Sequence, residues 1–191
     1  MFVEDRFVFY HVPKTGGTWL RKRLHREYDC VPHDYWHLGQ SRLPREHWYK
    51  PAFSVIRNPW DWHVSWFHFW HKQRDAVIGK DRHGGLRNRM IDRTLTYRTF
   101  EQYVMAESMI DYCDWMLPRD THLFRLEDGL EAFLNHLRDQ FPPTKDHKTF
   151  GWKHENVGER PPDYRECYSA KTKDWVAKQE KILIERFSYE F

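Results

Sequence analysis

Phe7-Val8-Phe9-Tyr10-His11-Val12 runs without a break into Pro13-Lys14-Thr15-Gly16-Gly17-Thr18-Trp19-Leu20. The first half is a short apolar and aromatic run, the pattern of a buried strand. Pro13 and the glycine pair end it, and the spacing beyond them predicts a helix over 18–28. A strand that feeds a helix through a Gly-rich turn is the opening βα unit of an α/β protein.

The pattern repeats further along. A second strand is expected at Ala52-Phe53-Ser54-Val55-Ile56, closing in Arg57-Asn58-Pro59. Asn58 is placed to cap the helix that follows, and Pro59 suits its first turn. Trp60, Val64, Phe67 and His71 give that helix a three-to-four spacing. Another helix is expected over 99–108 and a third strand over Thr121–Leu126. Leu130, Phe133, Leu134, Leu137 and Phe141 form one helical stripe. A closing helix carries Trp175, Val176, Ile182, Leu183 and Phe187. Strand and helix in alternation predict a mainly parallel sheet within one domain over 1–191, whose ligands bind beyond the carboxyl ends of the strands. Two segments stand apart. Residues 72–98 hold eight Lys or Arg against three Asp, with a Gly84-Gly85 pair, and read as a mobile basic insert. Residues 142–162 read as a long loop between two Pro-Pro pairs.

Composition narrows the class. The 17% aromatic share, with ten Trp, assigns much of the packing to large rings. A net charge of +3 is too mild to argue for a nucleic-acid partner. Cys30, Cys113 and Cys167 are widely spaced and form no CxxC pair, which argues against a disulfide framework or a zinc site. The first residues hold Glu4, Asp5 and Arg6 rather than a signal-peptide pattern, and no apolar run approaches the ~20 residues that span a bilayer. A soluble cytoplasmic enzyme or binding protein is the expectation.

The glycine turn carries the chemistry. Successive backbone N–H groups at a helix start converge on an anion, aided by the helix dipole. Gly16 and Gly17 permit close approach, Lys14 supplies an ammonium, and Thr15 and Thr18 supply hydroxyls. Lys14 precedes the glycines, unlike the lysine of a Walker A loop, and no apolar strand ending in Asp offers a magnesium ligand. An ordinary tight turn with a surface lysine is the plainer alternative. Downstream, Arg57 and Ser65 supply a planar donor fork and a hydroxyl suited to a second phosphate. An Arg57–Asp61 pair in a capped helix is the alternative there.

Pro13-Lys14-Thr15-Gly16-Gly17-Thr18-Trp19 resembles the 5′-phosphosulfate loop of the sulfotransferase superfamily, whose members carry variants of P-K-[ST]-G-[GT]-T-[WR]. Arg57 and Ser65, eight residues apart, resemble the same family's 3′-phosphate segment. Phe124-Arg125-Leu126-Glu127-Asp128 is similar to its R-x-E-D stretch, and Phe187-Ser188-Tyr189-Glu190-Phe191 to its F-x-Y-x-F close. Residues 72–120 match nothing in the family pattern.

The resemblance implies a P-loop-like three-layer α/β/α fold and a metal-free transfer of the sulfuryl group. The donor would be 3′-phosphoadenosine-5′-phosphosulfate (PAPS), leaving 3′-phosphoadenosine 5′-phosphate (PAP). It places Lys14 on the leaving 5′-phosphate oxygen, the backbone of Thr15, Gly16, Gly17 and Thr18 around the 5′-phosphate, and Arg57 and Ser65 on the 3′-phosphate. Trp19 is assigned either to stacking on the adenine or to the core. His37 is the first candidate for the general base, ahead of His33, Asp34 and His63. Lys148, Lys153, Asn156 and Arg160 are candidates to cover the nucleotide. Family analogy favours a carbohydrate hydroxyl as acceptor, with the basic 72–98 segment and Trp62, Trp66 and Trp70 as possible sugar contacts and a solvated loop and a hydrophobic helix face as the alternatives. Two other classes compete. A P-loop nucleotide kinase would require magnesium, and a non-catalytic RNA-binding module would show steep salt dependence.

Overall fold

A computed structural model of the chain describes residues 1–28, 30–32, 39–77, 96–145 and 160–191. The backbone gathers into two compact units, Met1–Arg57 with Tyr112–Asn156, and Asn58–Asp111 with Val157–Phe191.

The first unit holds the whole sheet. Its strands are β1 (Phe2–Val3), β2 (Val8–Tyr10), β3 (Val31–Pro32), β4 (Ala52–Ile56) and β5 (His122–Arg125), in the order β3-β1-β2-β4-β5. β1 runs antiparallel to both β2 and β3, whereas β2, β4 and β5 run parallel. Four of the five strands therefore point the same way, as the alternating pattern requires. β1 and β3 escape the sequence pattern because two residues are too few to show a period.

The continuous apolar character of β2 and β4 follows from cover on both faces. Phe7, Phe9, Phe53 and Val55 pack with Trp19, Leu20 and Leu24 of helix α1 (Gly17–Glu27). Leu130, Phe133, Leu134 and Leu137 join them on that face, as the helical stripe predicts. Val8, Tyr10 and Ala52 turn the other way, onto Met1 and Leu43. Rings carry much of this packing: Phe9 and Phe124 meet Phe133 at 5.5 and 5.1 Å between centroids.

In the second unit, helix α2 (Pro59–Val77) starts as expected, with Asn58 Oδ1 accepting from Trp60 N–H at 3.1 Å. It runs six residues into the segment read as an insert, and residues 78–95 lie outside the described residues. The helix expected over 99–108 is only five residues long, and a further helix follows it. α3 (Phe100–Val104) is capped by Thr99, and α4 (Met109–Met116) begins where the sequence shows no pattern. In the first unit the stripe at 130–137 forms α5 (Leu130–Gln140).

The closing helix is also two, α6 (Ala170–Gln179) and α7 (Lys181–Phe187). Glu180 sits at their junction, fully buried. Its carboxylate accepts from the N–H groups of Met109 at 2.6 Å and Ile110 at 2.8 Å, and it meets His63 Nε2 at 3.4 Å. The junction thus caps α4, which explains both the break at 180 and the unforeseen helix. Among the described residues, no helix is long and apolar enough to cross a membrane.

One buried charge cluster ties α1 to α5. Glu27, fully buried, accepts from Arg138 Nε and Nη2 at 2.7 Å each and lies 3.0 Å from Arg23 Nη2. The hydrogen bonds to Glu27 hold the Arg138 guanidinium even more firmly charged than is usual. Arg23 has a side chain only 4% exposed, and its other carboxylate neighbour, the exposed Glu131, lies at 3.7 Å. Removing the shared carboxylate therefore leaves a buried guanidinium with only this longer contact. Glu27→Ala is expected to lower the unfolding free energy by about 3–5 kcal/mol, read as a fall in the urea midpoint at unchanged slope.

Candidate functional site

β2, β4 and β5 are paired in parallel register, with Tyr10 opposite Ser54 and Ile56 opposite Arg125. Their carboxyl ends therefore lie along one side of the first unit. Three turns emerge there: 11–16 after β2, Arg57 after β4, and Leu126–Gly129 after β5. This is where open α/β sheets bind ligands.

The turn after β2 is built around backbone that only a few residues tolerate. Lys14 has φ +65° and Gly16 has φ +78°, both in the left-handed region. Thr15 is fully buried, and its hydroxyl donates to Val12 O at 2.6 Å. That bond takes the hydroxyl's one proton, so the Thr15 side chain cannot also donate to an anion as the sequence suggested. Its backbone N–H still can.

Gly16 caps α1 with no side chain, and its carbonyl accepts from the N–H groups of Trp19 at 3.0 Å and Leu20 at 3.1 Å. No acidic residue occupies the first turn of α1. Among the described residues, no acceptor takes up the N–H of Thr15, Gly16 or Gly17. The result is a cradle of donors at the start of an 11-residue helix.

Two neighbours set the cradle's position. From the end of β4, Arg57 Nη1 donates to the carbonyl of Lys14 at 3.2 Å. The second motif thus meets the first, although one of Arg57's donors is spent on the turn itself. From the turn after β5, Leu126 and Leu130 press on Gly16. A Cβ there would lie 2.6 Å from Leu130 Cδ1 and 3.4 Å from Leu126 Cδ1. The R-x-E-D segment therefore contributes packing through Leu126, while Arg125 Nε lies 3.8 Å from Asp128 Oδ1.

Trp19, with two possible roles in the sequence, is 8% exposed and belongs to the core, with the Arg23 guanidinium 5.5 Å from its ring. Ser65 lies on α2 in the second unit and is 9% exposed. His63, a runner-up for the base, is fully buried beside Glu180. Trp62, Trp66 and Trp70 are buried too, the first two stacked at 5.6 Å. They form the hydrophobic face of α2 rather than a sugar platform. Arg160 pairs with Asp61 on the first turn of α2. His37, His33, Asp34, Lys148, Lys153 and Asn156 lie outside the described residues.

The sequence reading passed over His11. Its imidazole is 6% exposed and lies against Gly17, where a Cβ would be 1.6 Å from Nε2. No periodicity or motif spacing could have signalled this contact, because it depends on how sharply the turn folds back.

The two positive-φ positions should respond differently to substitution. Gly16→Ala adds a Cβ at positive φ and drives it into Leu130, and is expected to destabilise by about 1–3 kcal/mol. Lys14→Gly relieves a left-handed lysine at the expense of a looser unfolded chain, and should leave stability within about 1 kcal/mol of wild type. Chemical denaturation of the two variants checks both. No protein-family model, curated protein or solved structure matches this chain.

Proposed function

We propose that the chain is a sulfotransferase that binds PAPS at the β2–α1 turn and passes its sulfuryl group to an acceptor hydroxyl or amine. The observation that carries this reading is the uncapped start of α1, flanked by Lys14 and joined by Arg57 at the ends of neighbouring parallel strands. Such an arrangement suits a ligand with two anionic groups. In this reading the N–H groups of Thr15, Gly16, Gly17 and Thr18 hold the 5′-phosphate, and the Arg57 guanidinium serves the 3′-phosphate. A P-loop-like three-layer fold and a cytoplasmic location belong to the same proposal.

The chemistry follows from the charges. An acceptor oxygen or nitrogen attacks sulfur in line, and the sulfur–oxygen bond to the 5′-phosphate breaks. The electron pair leaves with that phosphate oxygen, where Lys14 neutralises it. The acceptor proton passes to a base, for which the sequence offers His37. A sulfuryl group carries less negative charge than a phosphoryl group, so an ammonium and backbone donors suffice without magnesium. Resemblance to carbohydrate-type members of the superfamily makes a sugar hydroxyl the favoured acceptor.

Calorimetry with PAP and with ATP tests the donor reading. PAP should bind without magnesium and at least about tenfold more tightly than ATP. Equal affinity for the two, or magnesium-dependent turnover of ATP, would overturn the reading in favour of a nucleotide kinase. Lys14→Gly should retain the fold yet lose roughly 10²–10³-fold in transfer rate, measured with labelled PAPS across glycan, lipid and small-alcohol acceptors.

A further inference from the structure

We infer that His11 is a positioning residue of the anion cradle, holding the first turn of α1 through contact of its imidazole with Gly17. This rests on the reading of the cradle as the site of the 5′-phosphosulfate. His11 is the first residue after β2, is 6% exposed, and opens the turn that its ring reaches across to Gly17. The place a Cβ would take at Gly17 is 1.6 Å from Nε2, 2.0 Å from Cδ2 and 2.2 Å from Cε1. The Nε2 corner of the ring therefore occupies the volume that any other residue at 17 would fill.

Gly17 is the first residue of α1, and its N–H is among those no acceptor takes up in the described residues. Whatever holds Gly17 Cα in place also fixes where that N–H points. Leu130 presses on the neighbouring Gly16, so two adjacent peptide units of the cradle are held by side chains from different strand ends.

The type of residue matters as well as its size. The strand it terminates supplies Phe7, Phe9 and Tyr10 to the core, and an apolar side chain would fill the same space without burying a polar ring. An imidazole whose nitrogen corner meets the helix start adds a polar edge beside the proposed 5′-phosphate site, which a hydrocarbon would not. The two glycines consequently answer to different demands: Gly16 to a backbone angle, Gly17 to the space taken by His11.

The test compares PAP affinity, by calorimetry, across wild type, His11→Gln, His11→Leu, Gly17→Ala and the His11→Leu/Gly17→Ala double variant, with melting temperatures recorded for each. His11→Leu should weaken PAP binding about tenfold with little change in melting temperature, and Gly17→Ala should weaken it as much while also lowering the melting temperature, because its Cβ would overlap the imidazole. His11→Gln, which keeps a polar group at similar reach, should stay within about threefold of wild type. The double variant should be no weaker than either single one, because both remove the same contact.

Wild-type affinity in His11→Leu, or additive losses in the double variant, would overturn the inference alone. A wild-type chain that binds no PAP would sink the donor reading and this inference with it. Should His11→Leu fail to fold, the ring-proton resonances of His11 in the wild type carry the test. They should shift on PAP addition, and unmoved resonances overturn the proposal.

Discussion

Two missing Cβ atoms hold the first unit together. At Gly16 the backbone turns into the left-handed region with Leu130 pressed against it, and at Gly17 it passes under the imidazole of His11. Neither approach tolerates a side chain. Because the turn is this tight, only six residues separate β2 from α1, and the helix lies back over the sheet, where Trp19, Leu20 and Leu24 meet Phe7, Phe9 and Phe53. α5 joins the same face through Leu130, so its packing depends on the same turn. The close approach that packs the core also leaves the N–H groups of Thr15, Gly16 and Gly17 at the helix start, where no acceptor among the described residues takes them up. Stability and the candidate site are therefore consequences of one piece of backbone.

How much of this was legible in the sequence depended on the length and regularity of each element. β4 and the stripe of α5 were readable because a five-residue run with four apolar members between turn signals, or four apolar residues at helical spacing, admits few other arrangements. The cap of α2 was readable because Asn58-Pro59 states it chemically. β1 and β3 were not, being two residues each and defined only by their partners. The split of the closing segment at Glu180 was hidden for a different reason. A glutamate is an ordinary helix residue, and only its burial against the start of α4, seventy residues earlier in the chain, makes it a boundary.

The candidate site shows the same division. Residue types and order led to the expectation of a phosphate cradle, and the parallel pairing of β2 with β4 brings Arg57 to the carbonyl of Lys14. What spacing could not convey is which atoms remain for a ligand. Thr15 looked like a source of a hydroxyl donor, yet its proton is committed to Val12 O. Trp19 offered a ring for adenine, yet α1 turns that ring into the core. Side-chain identity proposes a role; the direction of each bond decides whether the atom is available for it.

Lys14 is the position where these arguments meet. A lysine at φ +65° is strained by roughly 1–2 kcal/mol relative to its ordinary conformations. A glycine would make the same turn without that strain, and this sequence does use one two residues later. If the turn served only to connect β2 to α1, the lysine would be a defect with no compensation. The surrounding structure instead over-determines it: Arg57 holds its carbonyl, the Thr15 hydroxyl pins the chain back to Val12, and Gly16 is clamped by Leu130. Strain held in place by so many contacts, beside a helix start with no side-chain cap, is the kind of backbone outlier that supports the role proposed for Lys14.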